Sequence, residues 1–219
     1  MRRHWAEAAL IVAALAFVAA CGSAAKPATF HPAGPSAAAS APPPGQAPPG
    51  SGRGSLARPP FGRNVHVHMT RWMPARARQA AAVIADKNFE LAYLYSEYTG
   101  GRDTRWTGYA SRRMLRAFAA DLAKPAVTTE SFRGTVSYTH MRAFADPLHK
   151  GAIDVSACFD NARAENTSIS TGKVIPDWTP ADEHYFRYTD ILARNRTGNW
   201  LVTGNYAAVY YPQARECKP

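Results

Sequence analysis

The 219-residue sequence has few cysteines and no long apolar run, and each absence narrows its class. The longest apolar run, Ala8 to Ala20, has 13 residues, whereas a membrane-spanning helix needs about 20. The three cysteines include no CxxC pair. The sequence also has no glycine-rich phosphate loop and no Ser, His and Asp arrangement with support from its context. It therefore predicts no catalytic residue, no cofactor and no metal centre.

The N-terminus is typical of an export signal, because Arg2 and Arg3 precede an apolar run that has no polar face. "VAAC", residues 18–21, resembles the lipobox of bacterial lipoproteins, whose cysteine receives a diacylglyceryl group and becomes the mature N-terminus. The resemblance implies a signal peptide over residues 1–20 and lipidation of Cys21. Two acyl chains are enough for stable anchoring. We therefore expect an exported protein, lipid-anchored to the outer face of the cytoplasmic membrane.

Residues 21–60 are expected to be a disordered tether that starts at the lipidated cysteine. The segment from residue 22 to 60 is rich in Pro, Ala, Gly and Ser, with three basic residues and no acidic one. It has almost no apolar surface to bury, so it cannot offset the entropy lost on ordering. As a flexible coil it spans roughly 35 Å, which places the folded part clear of the lipid headgroups.

Residues 61–219 are expected to form one folded domain that begins with two helices. Pro74 and the Gly100–Gly101 pair mark the ends of the first, and its acidic residues share one narrow stripe with Tyr93. The rest of its circumference is apolar, so other elements must wrap it. The second helix lies within residues 103–125 and ends before Pro125. The acidic residues of the stripe are Asp86, Glu90 and Glu97.

The apolar period drops to two from residue 132, which predicts strands. Four segments fit: "FRGTVSYTHMRAF", "GAIDVSACFDN", "EHYFRYTDILARN" and "NWLVTGNYAAVYYP". Residues 162–182, between the second and third, are too polar and too long for a tight hairpin and are expected to be an exposed excursion. Helices followed by an antiparallel meander give the α+β class.

This element order resembles the nuclear-transport-factor-2-like, or cystatin-like, superfamily, which includes SnoaL-like domains. The lipobox, the tether, "VSACFDN", "TGKVIP" and the ending "REC" resemble small actinobacterial-type envelope lipoproteins. The resemblance implies helices packed in the concave face of a curved antiparallel sheet, forming a cone. The superfamily also includes ketosteroid isomerases, polyketide cyclases and secretion-system assembly proteins, so membership does not fix a function.

Two functions follow from this resemblance as alternatives. The favoured one is a non-catalytic, membrane-anchored binding or scaffolding module of the cell envelope. The other is a small-molecule isomerase or cyclase that uses the cone as its pocket. They differ in whether the cone is a deep apolar pocket with an inward acid or base, or is plugged by the aromatic residues of "NYAAVYY".

Cysteine counting favours one disulfide. If Cys21 carries lipid, Cys158 and Cys217 remain as a pair in an oxidising compartment, with two separate thiols as the alternative. A bridge between them would close a loop of about 60 residues and stabilise the fold by about 4 kcal/mol.

An enzyme of the isomerase or cyclase type would hold its acid or base inside the cone. The candidates at positions that face inward are His140, Asp154, Tyr93 and Tyr138, and each has an ordinary structural explanation as a surface or core-edge residue. His66 and His68 lie on one side of an extended segment, but two ligands without a third make a weak metal site.

The most distinctive exposed feature is a basic face on the second helix. On one continuous helix, Arg105, Arg112, Arg113 and Arg116 project within about 100° of one another. Guanidinium groups suit phosphates and carboxylates, so anionic lipid, a wall polymer or an envelope protein is a candidate partner. The alternatives are a solvated face and contact with the acidic stripe of the first helix. The expected location excludes nucleic acid, although the pI is about 9.8.

Overall fold

A computed structural model describes residues 58–177 and 179–219 of the chain. The predicted signal peptide, Cys21 and nearly all of the predicted tether lie outside these residues. The described elements confirm the α+β class. In chain order they are β1 (Val65–Met69), α1 (Ala77–Tyr98), α2 (Arg112–Leu122), α3 (Pro125–Thr129), β2 (Glu130–Ala145), β3 (Ile153–Ser168), β4 (Tyr185–Arg194) and β5 (Trp200–Tyr210).

Helix α1 ends where the glycine pair predicted. Gly100 and Gly101 have φ of 71° and 78°, a left-handed conformation that glycine adopts without steric cost. The Gly101 amide donates to the Ser96 carbonyl oxygen over 2.8 Å, which satisfies a carbonyl of the last helical turn. The following turn therefore has a fixed exit from the helix.

The second predicted helix is divided into two parts. Arg105–Tyr109 form a 3-10 turn, Ala110 forms an isolated bridge with Val202 of β5, and α2 begins only after Ser111. The Ser111 hydroxyl accepts a bond from the Met114 amide and caps the new helix. The continuous helix expected from Arg105 onward is therefore wrong.

In the described part of the chain, the sheet has five strands in the order β1-β2-β3-β4-β5. Strands β2 to β5 form the predicted antiparallel meander, whereas β1, expected only as an extended segment, pairs parallel to β2 at the edge. The polar excursion is shorter than predicted, because β3 continues through residues 162–168 and pairs with the start of β2. Register shifts interrupt the pairing of β2 with β3 at two places, and such bulges bend a strand.

The core lies between α1 and one face of this sheet. Helix α1 contacts β2, β3, β4 and β5, and most of its residues from Ala82 to Glu97 are buried. The helix is therefore wrapped, as its apolar circumference predicts.

Candidate functional site

The acidic stripe of α1 points into the core. Asp86, Glu90 and Glu97 are all at most 6% exposed, and Asp190 of β4 is 4% exposed. Buried carboxyls are rare unless they are paired. Here they are grouped with phenols and one further acid from α2. We call the group the carboxyl–phenol cluster; its members are Asp86, Glu90, Glu97, Asp121, Asp190, Tyr93, Tyr138 and Tyr188.

Hydrogen bonds tie the carboxyl–phenol cluster across three elements. The Tyr188 hydroxyl on β4 donates to Asp86 Oδ2 over 3.4 Å, and the Tyr93 hydroxyl on α1 donates to Asp121 Oδ2 over 3.0 Å. Lys124 Nζ lies 2.7 Å from Asp121 Oδ1. The phenols thus supply some of the hydrogen bonds that water would otherwise donate to the buried carboxyls.

Four carboxyls of the cluster, Asp86, Glu90, Glu97 and Asp190, have a raised pKa and retain protons to unusually high pH. Burial raises the pKa of Asp190 to about 7 and that of Glu97 to about 8. Burial, together with the Asp190 charge, holds the pKa of Asp86 and Glu90 well above the ordinary range. Hydrogen bonding with Asp86 and Glu90 lowers the pKa of Asp190 and so offsets part of the effect of burial. Acid–base groups are therefore available between α1 and the sheet.

The neighbouring lysine does not neutralise these carboxyls by direct contact. Lys87 is 3% exposed, and its Nζ donates to the carbonyl oxygens of Thr70 and Trp72 over 2.7 and 3.2 Å. It ties the segment before α1 to the helix.

The space beside the cluster is small. A cavity of about 20 Å³ is lined by residues of α1 and of the inner face of the sheet, which is room for about one water molecule. Ligand pockets commonly measure about 300–1,000 Å³. The lining residues are Glu90, Tyr93, Leu94, Glu97, Tyr138, Phe159, Phe186 and Tyr188.

Three aromatic rings, one from each of β3, β4 and β5, line up beside this cavity. The ring centroid of Phe186 lies 4.9 Å from that of Phe159 and 5.3 Å from that of Tyr210. Tyr210 belongs to the "NYAAVYY" segment. Phe159, Phe186 and Tyr210 are called the aromatic plug below, because Phe159 and Phe186 line the cavity and Tyr210 packs against Phe186.

The four residues considered as inward acids or bases divide evenly. Tyr93 and Tyr138 are each 1% exposed and belong to the cluster. His140 is exposed, with φ of 48°, at a register shift of β2. Asp154 is buried, but it alternates with the core residues Ile153 and Val155 and so faces the other side of the sheet. Burial and the neighbouring Asp146 raise the pKa of Asp154 to about 6.

The arginines are not all on one helix face. Arg112, Arg113 and Arg116 are exposed on α2, whereas Arg105 lies in the preceding 3-10 turn. Arg105 Nη2 lies 2.9 Å from Asp103 Oδ2, and the Arg105 guanidinium lies 4.7 Å from the centre of the Tyr95 ring. The acidic stripe faces the phenols of the core, so the alternative in which some of these arginines contact the stripe does not describe this fold.

Cys158 and Cys217 form the predicted disulfide, with a Cα–Cα distance of 5.0 Å. Both cysteines are buried, and they fasten the C-terminal 3-10 turn Arg215–Cys217 to β3. Within the described residues, one group of three side chains has the spacing of metal ligands, namely Cys158, Glu216 and Cys217. Its two sulfurs are bonded to each other, so they do not act as thiolate ligands.

His66 and His68 lie exposed on edge strand β1.

The sequence reasoning missed Asp190 and Tyr188. A signal for both was present, because Phe186, Tyr188, Asp190 and Leu192 alternate along one face of β4. An acid in the middle of an apolar face is a candidate buried carboxyl.

No family model and no curated protein sequence matches the chain. Among solved structures, a protein from Catenulispora acidiphila aligns with 14% identity and a TM-score of 0.36, over 64% of this chain and 99% of its own. A candidate ketosteroid isomerase from Shewanella frigidimarina aligns with 18% identity and a TM-score of 0.26, over 59% of this chain and 96% of its own. Likenesses at this level carry no argument about function.

None of the helices in the described residues has the length and apolar character to cross a membrane.

Proposed function

We propose that the chain is a non-catalytic binding or scaffolding module of the cell envelope with a nuclear-transport-factor-2-like domain. A diacylglyceryl group on Cys21 anchors it to the outer face of the cytoplasmic membrane. A non-catalytic function is supported mainly by the small size of the cavity beside the carboxyl–phenol cluster. A cavity of about 20 Å³ behind the aromatic plug is too small for a substrate.

The exposed surface supports a binding role. Residues 61–219 carry 21 Lys and Arg against 15 Asp and Glu. Arg112, Arg113 and Arg116 present guanidinium groups to solvent on α2. Such groups pair with the phosphates and carboxylates of lipid headgroups and wall polymers. A lipid anchor on a flexible tether would leave this basic surface free to reach an anionic membrane.

A second candidate function is a small-molecule isomerase or cyclase. The observation in its favour is the carboxyl–phenol cluster, where Asp190 has a pKa of about 7 and lies beside proton-holding carboxyls. A group that titrates near neutral pH suits general acid–base catalysis. This function requires the aromatic plug to open, because the cavity beside the carboxyl–phenol cluster has room for about one water molecule.

The anchor is tested by producing the full-length chain and a Cys21→Ser variant in a high-GC Gram-positive host. We expect the wild type in the membrane fraction, with a mature mass that begins at Cys21 and includes a diacylglyceryl group. The variant should lose that group and leave the membrane fraction. Equal membrane association of the two chains, with no lipid mass on the wild type, would overturn the anchor.

A further inference from the structure

An open cleft lies outside the core, between the C-terminal end of α1 and the joined ends of β2 and β3. Its volume is about 530 Å³, within the range of small-molecule sites. It shares no lining residue with the cavity beside the carboxyl–phenol cluster. We call it the α1 cleft; its lining residues include Tyr95, Tyr98, Arg102, Ser131, Ser168 and Ile169.

The walls of the α1 cleft are held in place by hydrogen bonds between elements. The Ser131 hydroxyl of β2 donates to the Tyr98 carbonyl oxygen over 2.7 Å. The Ser96 hydroxyl donates to the Asp103 carbonyl oxygen over 2.7 Å. The Ile169 amide donates to the Thr129 carbonyl oxygen over 2.9 Å. The cleft is therefore a built feature of the fold.

Gly100 and Gly101, at the rim of the α1 cleft, are packed too closely against their neighbours to carry a side chain. A Cβ on Gly100 would lie 2.6 Å from Ile169 Cδ1, and one on Gly101 would lie 2.8 Å from the Leu122 carbonyl oxygen. The turn is packed against its neighbours and delivers Arg102 to the cleft.

Arg102 is the cationic group of this cleft with donors to offer. It is exposed, and no other described residue accepts a hydrogen bond from it or forms an ion pair with it. The carboxylate of Asp103 also lines the cleft, and it is paired with Arg105 at 2.9 Å, which offsets its charge. An anion that enters the cleft meets a guanidinium with paired donors.

The remaining lining fits the rest of a sugar. Tyr95 and Tyr98 are half-buried, with ring centroids 5.8 Å apart. The Arg105 guanidinium covers one face of Tyr95, and the ring surface that faces the cleft can attract weakly positive C–H edges. The hydroxyl of Ser131 donates to backbone and keeps lone pairs that accept from ligand hydroxyls.

We infer that the α1 cleft binds an acidic carbohydrate, with Arg102 on the acidic group and Tyr95 and Tyr98 against the sugar ring. This inference rests on the proposed binding function and names its ligand class. The acidic group is a carboxylate or a phosphate ester, because a guanidinium recognises both in the same way.

The test uses the full-length chain with Cys21→Ser, labelled at the tyrosine rings and observed by NMR. The probes are glucuronate, glucose 6-phosphate and glucose. We expect saturable shifts of the Tyr95 and Tyr98 ring signals with one or both acidic sugars. Glucose should bind at least about tenfold more weakly than the acidic sugars do. The stronger acidic probe identifies the acidic group.

Arg102→Ala should weaken the binding of the acidic probes about tenfold or more and leave the affinity for glucose unchanged. Arg102→Lys should retain part of the affinity for the acidic probes. Arg196→Ala, in the exposed β4–β5 turn, is the matched control and should bind like the parent chain. Equal binding of glucose and the acidic sugars, or no effect of Arg102→Ala, would overturn the inference. Fractionation of the Cys21→Ser chain tests the anchor separately, so a negative titration leaves that part of the proposed function standing.

Discussion

The Tyr188 hydroxyl on β4 donates to Asp86 Oδ2 on α1 over 3.4 Å, with both residues buried. This bond joins the inner face of the sheet to the helix that it wraps. It also places a proton donor beside an acid whose pKa burial and the Asp190 charge raise well above the ordinary range. The interior is therefore held together by groups that must keep their protons.

Stability should fall as pH rises through the neutral range. Unfolded carboxyls titrate near pH 4, whereas burial raises the pKa of Asp190 to about 7 and that of Glu97 to about 8 in the folded chain. The folded state binds more protons over this interval. The stabilisation is complete below about pH 4 and is lost as pH rises through about 7 and 8, at about 1.4 kcal/mol per pH unit for each carboxyl. Urea unfolding at a series of pH values measures the slope.

Asp190→Asn should flatten this pH profile, because the amide carries no titrating proton. Glu165→Gln is the matched control, since Glu165 is exposed and pairs with Arg133 on the sheet surface. It should leave the slope unchanged. If Asp190→Asn keeps the slope of the parent chain, Asp190 does not titrate as described.

The disulfide should carry a large share of the stability. Cys158 and Cys217 are 59 residues apart, so Cys217→Ser should lower the free energy of unfolding by about 4 kcal/mol on the chain-entropy model. Urea unfolding of the oxidised chain and the variant gives the difference. Cys21→Ser lies outside the bridge and should not change it; an equal loss in both variants would contradict the pairing.

Opening the aromatic plug should create a usable cavity. Phe186→Ala removes the central ring between Phe159 and Tyr210, and such a truncation costs about 3–5 kcal/mol. Phenol should then raise the stability of this variant, because a ligand that binds only the folded state stabilises it. Phe186→Leu keeps most of the volume and should gain little from phenol. Equal stabilisation of all three chains would mean that phenol binds elsewhere.

The arginines of α2 should contribute to the binding of anionic membranes through their position as well as through their charge. Removing Arg112, Arg113 and Arg116 together should weaken binding to phosphatidylglycerol vesicles by about 1 kcal/mol per residue. Alanine at Arg163, Arg196 and Arg215, which are also exposed, removes the same charge elsewhere. Vesicle co-sedimentation at two salt concentrations compares the triple variants. Equal losses would show that net charge alone drives binding.

Local periodicity predicted the elements well, and long-range contacts account for what it missed. The Gly100–Gly101 stop, four strands and the α+β class follow from patterns within short segments. The partners of the acidic stripe do not, because Asp190 is brought to Asp86 by the pairing of β4 with the rest of the sheet. The break at Ser111 was hidden because the arginines on either side of it fit one helical period.

The α1 cleft was beyond prediction for a similar reason. Tyr98 and Ser131 are joined by one hydrogen bond, although α2 and α3 separate them in the chain. The Cys158–Cys217 bridge was predictable because compartment and residue count restrict the pairing without any knowledge of the sheet.

The most direct measurement for the central claim is a phenol titration of the wild-type chain, followed at the ring signals of Tyr138 and Tyr188. Both residues line the cavity of about 20 Å³ behind the aromatic plug. A filled, non-catalytic interior predicts that their signals stay unchanged, while the Phe186→Ala variant responds. Saturable shifts of Tyr138 and Tyr188 in the wild-type chain would contradict the claim and favour a small-molecule enzyme.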